Sequence, residues 1–363
     1  MGLGWKIFFS VTVLALLIPG LTLDFMVPGS TWARKSWSLI EIFLTVMVFL
    51  HLWRRKPIFQ FLADLANAPL AKVNLFLARG LFVVLTLDLL RLAIGQGYFG
   101  PPAAPYLEAL NPSFLSVVLI SLTVAHFINC KPLPIHLVFF VVVVLVAHQF
   151  LLWLSKDIFL ARFQAAIWGA LVLFAPGRLK LKLWILAFVI LIWGSESLVL
   201  SSTFYQNLKW PWPDPQADQL SVAYDVFLSQ AAIYASGDWG LGLSYFDKLD
   251  LFRPGPIAAY ALPYLTVWLG AHGASLYLAL QAVFYSALSF GSQKIRLSWP
   301  RVAFFCLSCL LTANLLLGVL AATGAMGYYD PLGIAFVGNN QVGALSLVLV
   351  LILTVWSKVP ADS

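Results

Sequence analysis

A bilayer core takes about 20 consecutive apolar residues as helix, with roughly 17 to 25 tolerated. Ten stretches of this chain reach that length: 4–22, 37–53, 74–94, 113–129, 135–154, 158–175, 181–200, 256–290, 301–323 and 338–356. The eighth is long enough to tilt or to run on beyond the membrane. Composition agrees, since 61% of the 363 residues are hydrophobic and 10% are charged, a balance soluble domains do not approach. The expectation is an all-α polytopic membrane protein of about ten transmembrane helices. The opening "MGLGWKIFFSVTVLALLIPGLTL" has the lysine and apolar run of a signal peptide. Its small-residue cleavage pattern is weak and further spans follow, so it reads as an uncleaved first span.

The formal charge of +7 does not point to nucleic acid, because the basic residues sit in short loops between spans and set orientation there. With the amino terminus cytoplasmic, the inner loops and tail hold Arg54, Arg55, Lys56 and Lys72, then Lys131, then Arg178, Lys180 and Lys182, then Lys294, Arg296 and Arg301, then Lys358. The outer loops are poorer in base, with Arg34 and Lys35 in the first as the exception. Ten spans with both termini cytoplasmic fits the positive-inside rule better than nine or eleven. Cys130, Cys306 and Cys309 lie in or beside apolar runs without metal-like spacing to histidine, which argues against a disulfide framework or zinc site. "CLSC" at 306–309 reads as two small core residues of one helix.

The longest loop, 201–255, falls outside the membrane between spans seven and eight. It carries Asp214, Asp218, Asp225, Asp238, Asp247 and Asp250 against Lys209, Lys248 and Arg253, and is too long and amphipathic for a plain connector. "WPWPDP" at 210–215 suits a rigid entry at headgroup level. From Val222 to Tyr234 the apolar residues Val222, Tyr224, Val226, Phe227, Ala231 and Tyr234 recur at helical spacing, which predicts an amphipathic helix at the interface. "SGDWGLGL" follows, and its glycines at 237, 240 and 242 permit sharp turns and close approach of a ligand or another helix.

Three blocks of this chain together resemble the SEDS family (shape, elongation, division and sporulation; the FtsW/RodA-type proteins). "SQAAIYASGDWGLGL" is similar to the family's glutamine-serine helix and Gly-Gly-x-x-Gly-x-Gly turn, with one glycine missing. "RPGPIAAYALPYLTVWLGAHG" resembles the segment entering span eight, with "VWLGAHG" where members have Glu-Glu-Leu-Gly-x-x-Gly. "NLLLGVLAATGAMGYYDPLGIAFVGNNQVGALSLVLVLIL" resembles the closing block; Pro331 and Leu332 fall on its Pro-Leu, Gly338 on its first glycine, and Asn339 to Gln341 on Gly-Ser-Ser. The likeness covers 205–356 and not the first 200 residues. It implies one SEDS-like transmembrane domain over 1–363, in the bacterial cytoplasmic membrane.

The resemblance also implies a function. Such proteins polymerise the lipid-linked disaccharide-pentapeptide precursor of peptidoglycan (lipid II) at the outer face of the membrane, during division or elongation, usually beside a single-span transpeptidase. That glycosyltransferase chemistry calls for a carboxylate as general base and for cationic or metal-assisted stabilisation of a pyrophosphate leaving group. Carried onto this chain, Gln230, Ser236, Gly237, Gly240, Gly242, Asn314 and Gly338 are the expected substrate-binding positions, and Arg253 and Glu196 join them from their own places near the outer surface. No metal ligand set is expected from the sequence and no cofactor is implied, with a divalent metal left open. The family's essential aspartate falls on Ala259, and its two later glutamates on Val267 and Trp268; the nearest upstream acids are Asp250 and Asp247, and Asp250 is either the base of a rearranged loop or an ordinary solvated loop acid. The alternative is a catalytically degenerate SEDS-like scaffold, or a transporter of lipid-linked substrate. An O-antigen polymerase or ligase is a weaker match, since such loops are rich in arginine and histidine, whereas this one has a single arginine and no histidine.

Ionisable residues inside spans are costly and mark functional or paired positions. Asp88 and Arg91, three apart, can pair on one helical face, and Arg79, Glu41, Arg162 and Glu196 are the others. Glu196 lies near the outer end of span seven beside the large loop. Arg253 either contacts a phosphate or anchors the next span at the headgroups. His51, His126, His136, His148 and His272 show no ligand spacing and read as packed or interfacial residues.

Overall fold

A computed structural model describes residues 2–26, 32–53, 70–95, 118–119, 122–123, 143, 146–151, 183, 187, 230–243, 261–296, 298–323, 334–337 and 340–358. These residues are almost entirely helical and contain no extended strand. The principal helices are α1 (Leu3–Met26), α2 (Trp32–Trp53), α3 (Leu70–Gly95), α4 (Ala261–Gly291), α5 (Ser298–Ala322) and α6 (Asn340–Trp356). They correspond to the first, second, third, eighth, ninth and tenth apolar stretches. The predicted spans at 113–129, 135–154, 158–175 and 181–200 lie largely outside the described residues.

Four stretches among the described residues are long and apolar enough to cross a membrane: Leu3–Phe25, Lys35–Trp53, Ala261–Lys294 and Pro300–Leu320. Helix α1 shows why the surrounding solvent must be hydrocarbon. Phe9, Val13, Leu16 and Leu23 are fully buried, yet Leu3, Ile7, Val11 and Ile18 on other faces are exposed. A helix apolar on every side cannot present a polar face to water. Hydroxyls in these helices bond back to their own backbone, as Thr22 does to the Ile18 carbonyl at 2.9 Å and Ser346 to Val342 at 2.7 Å, which suits a medium that offers them no water. The protein is an all-α membrane protein.

The chain divides into two compact units: 1–58, 200–291 and 308–354 in the first; 59–199, 292–307 and 355–363 in the second. In the second, α3 buries Leu77 and Leu81, and the bare Gly80 faces the Leu119 side chain at the spacing of ordinary van der Waals contact. Arg79 is exposed on α3. The side chains of Asp88 and Arg91 lie outside the described residues, so their predicted pairing does too.

In the first unit α1 packs against both α2 and α4. Trp53 Nε1, at the end of α2, donates to Ser10 Oγ near the start of α1 at 3.2 Å. Ser38 Oγ, near the start of α2, donates to the Asp24 carboxylate near the end of α1. The two helices therefore form an antiparallel hairpin. Phe9 meets Phe284 edge to face at 5.9 Å while Leu16 pairs with Tyr277, so α4 also runs against α1. Ser346 meets Tyr285 and Gly291 meets Leu353, so α6 runs with α4. One direction for α1 and the opposite for α2, α4 and α6 is what the ten-span count requires of its first, second, eighth and tenth members.

Candidate functional site

The long eighth apolar stretch is not one straight helix. Gly270 interrupts α4 with φ 74° and ψ 177°, a left-handed φ that favours glycine. A helix broken there has amides and carbonyls to satisfy. The segment 237–241 supplies the partners. The Ala271 amide donates to the Gly237 carbonyl at 3.0 Å, the His272 amide to the Asp238 carbonyl at 3.3 Å, and the Val267 carbonyl accepts from the Leu241 amide at 2.7 Å. The glycine turn thus replaces the helix's own ladder across the break.

This exchange explains the glycines. Gly237, Gly240 and Gly242 all have positive φ, at 61°, 79° and 81°. A Cβ on Gly240 would sit 2.5 Å from the Gly270 nitrogen and 2.6 Å from the Trp268 carbonyl oxygen. A Cβ on Gly270 would strike the Asp238 carbonyl in return. Two glycines from two separate motifs close on each other, backbone to backbone.

From Gly270 to Lys294 the helix and its 3-10 extension run 25 residues, about 37 Å at 1.5 Å per residue, enough to cross a bilayer alone. The segment 261–269 precedes the kink and belongs with it to one apolar stretch, Ala261–Lys294. The eighth apolar stretch is thus broken by a kink at Gly270 rather than running straight.

The predicted amphipathic helix is seen at 230–236, and 222–229 lie outside the described residues. Ala232 and Ser236, four apart, form its buried side, whereas Tyr234 is 88% exposed. The small residues face protein, and the tyrosine stands on the exposed side. Ser236 Oγ donates to the Ile233 carbonyl at 2.6 Å, ending the helix just before the first positive-φ glycine. Gln230 Nε2 donates to the Thr323 carbonyl at 3.1 Å, which covers one of the carbonyls left over where α5 ends. Trp239, 84% exposed, stacks on His272 with ring centroids 5.5 Å apart and planes 15° from parallel. His272 Nδ1 lies 3.1 Å from the Asp238 carbonyl oxygen.

Gln230, Ser236, Gly237, Gly240 and Gly242 are therefore brought together with the α4 kink, and Gln230 ties them to the end of α5. Asn314 is buried within α5 at 1% exposure and is not among the residues of this turn. Asp250, Arg253, Glu196, Gly338 and Ala259 lie outside the described residues. Sequence reasoning passed over two participants, Trp239 and His272. The signal available was the spacing of His272 two residues after Gly270 inside the same glycine-bracketed motif.

A second polar region lies within the first unit. Residues Ile334, Ala335, Phe336 and Val337, non-helical in backbone, are all essentially inaccessible. Non-helical backbone at membrane depth is tolerated where protein surrounds it. Tyr277 Oη is 3.1 Å from the carbonyls of both Ala335 and Leu16. Gln281 Nε2 donates to Tyr285 Oη at 3.0 Å and lies 3.5 Å from the Ala335 carbonyl. Phe336 has φ 68°, unusual for a bulky residue, and is held between glycines: a Cβ on Gly20 would strike its carbonyl, and one on Gly343 its ring and the Glu41 carboxylate. Glu41, singled out from sequence, is fully buried here, and so is Asp24. Asp24 was missed because the first stretch was ended at residue 22. Among the described residues no three His, Cys, Asp or Glu side chains gather into a group that could hold a metal ion.

Comparison with known proteins adds the fold. The chain is similar to one chain of a peptidoglycan synthase complex, solved to describe the structural coordination of polymerization and crosslinking, with a TM-score of 0.58 and 15% identity over 95% of this chain and 96% of that one. No family model matches the sequence, and no curated protein does. The similarity thus rests on architecture across nearly the whole of both chains.

Proposed function

We propose that this chain is a divergent SEDS-type protein of bacterial cell-wall synthesis, acting on the lipid-linked disaccharide-pentapeptide precursor at the outer face of the cytoplasmic membrane. The observation that carries the reading is the closure of the 237–242 glycine turn onto the Gly270 kink. The two segments through which the sequence most resembles that family, about 30 residues apart, form one structure. The shared fold with a chain of a peptidoglycan synthase complex supports it.

In this reading both termini are cytoplasmic and the chain forms one transmembrane domain. The loop 201–255 provides the substrate face, and a single-span transpeptidase is the natural partner. Glycan polymerisation would join a sugar hydroxyl of one lipid-linked unit to the anomeric carbon of the growing chain, with polyprenyl pyrophosphate leaving. Asp250 is assigned as the base, Arg253 as a phosphate contact, and Glu196, Gln230, Ser236, Asn314 and Gly338 as substrate positions. The alanine at 259 favours a second reading, in which the fold is kept as a non-catalytic scaffold or carrier of the same precursor.

Purified protein in detergent is tested for polymerisation of fluorescent lipid-linked precursor, with and without divalent metal, beside Asp250→Ala. Polymer made by the parent and lost in the variant supports the enzyme. Precursor binding without polymer supports the scaffold. A folded protein that neither binds nor polymerises the precursor overturns both.

A further inference from the structure

We infer that the Trp239–His272 pair is a stacking platform for a hexopyranose ring, and so the sugar-reading element of the site proposed above, on which this inference rests. Trp239 is held from one side. Its indole lies 5.5 Å from the His272 ring at 15°, yet the residue remains 84% exposed. One face is therefore backed by imidazole and the other is open. An aromatic face of this kind offers area to the axial C–H groups of a pyranose without demanding charge from it.

The imidazole is fixed as well. His272 Nδ1 lies 3.1 Å from the Asp238 carbonyl oxygen, which can only accept, so the contact is a hydrogen bond in the tautomer with its proton on Nδ1. In that tautomer Nε2 is left to accept from a sugar hydroxyl at the platform's edge. The same carbonyl takes the His272 backbone amide at 3.3 Å, and the Gly240–Gly270 contact fixes the turn that bears the tryptophan. Ring planes set before the ligand arrives lower the ordering cost of binding.

Charge separates a sugar from an anionic lipid headgroup as the occupant. A turn built to grip anionic lipid carries lysine or arginine beside its aromatics. Residues 230–243 contain neither, and their one charged side chain is acidic, Asp238. A neutral polyhydroxylic ligand fits that face and a phosphate does not.

The test is saturation-transfer NMR from the full-length protein in detergent to triacetylchitotriose, with parallel measurement of lipid-linked precursor polymerisation. Transfer to the ring protons is expected with the parent, reduced about tenfold in apparent affinity by Trp239→Ala, largely kept by Trp239→Phe and weakened by His272→Ala. Equal transfer from Trp239→Ala, or none from the folded parent, overturns the platform. So does quenching of Trp239 by spin-labelled phosphatidylcholine in nanodiscs with no sugar transfer, which would make it a lipid anchor. Tryptophan-dependent transfer from a parent that neither binds nor polymerises the precursor defeats the broader reading and leaves the platform standing. Polymerisation unaffected by Trp239→Ala, with unaltered sugar transfer, does the reverse.

Discussion

The glycine turn at 237–242 and the buried segment at 334–337 solve one problem in opposite ways. Each is irregular backbone packed against helices of the first unit, and each uses positive φ. The outer turn is held by main-chain hydrogen bonds to a broken helix, with glycine at every positive φ. The inner segment is held by a tyrosine hydroxyl and a glutamine amide, with a phenylalanine in the left-handed region. At an exposed position a detached carbonyl can find another partner. In a buried one it cannot, and several kcal/mol is the scale of leaving it unpaired there. Polar side chains are therefore committed where the backbone is buried, and backbone complementarity suffices where it is exposed.

That contrast sets an order of mutational effects. Gly20→Ala should be the most damaging, because its Cβ strikes the Phe336 main chain rather than a side chain that can swing away. A loss of about 3 kcal/mol is expected, seen as a lower thermal midpoint of the whole protein in detergent. Gly270→Ala should come next but stay local. The Cβ and the left-handed φ together cost about 2 kcal/mol, read as amide exchange at 237–241 and 271–272 quickened more than tenfold, with the global midpoint moved less than by Gly20→Ala. If the outer substitution lowered the midpoint as much as the inner one, the division into a detachable turn and an integral segment would fail.

Tyr277→Phe keeps the ring and removes a hydroxyl from the Ala335 and Leu16 carbonyls. It should cost about 1 to 2 kcal/mol, again in the global midpoint. An unchanged midpoint would mean that the segment is held by shape rather than by hydrogen bonding. The smallest effect is expected of Trp239→Ala, within about 0.5 kcal/mol for so exposed a position. A larger thermal loss would show that the stack braces the fold, and would weaken its use as evidence for a ligand.

The helices were legible in sequence because hydrocarbon imposes a length that apolar runs display directly. The family resemblance likewise singled out the two glycine motifs. What neither gave was their meeting, since mutual approach of Gly240 and Gly270 is a fact of backbone geometry and leaves no periodicity in either segment. Asp24 escaped for a different reason. It lies in the last turn of its helix, so hydropathy alone assigns it to the loop, although its carboxylate is buried and bonded to Ser38. Helical spacing groups Tyr234 with Ala231 on one apolar side, but spacing does not say which residues will face the neighbouring protein. Here the close approach selected Ala232 and Ser236.

The wedge of Phe336 between Gly20 and Gly343 also bears on how the molecule is made. Leu16 and Tyr277 are 261 positions apart in the chain, and the segment that completes their contact is not synthesised until residue 335. At synthesis rates of about 5 to 20 residues per second, the first helical hairpin must stay in the bilayer for tens of seconds with one side unfilled. Tyr277 and Gln281 enter the membrane before the carbonyl they serve exists. Completion of this unit therefore waits on its carboxyl end, and a chain halted after α5 could still form the α1–α2 and α1–α4 contacts but would leave the place of Phe336 against Gly20 empty.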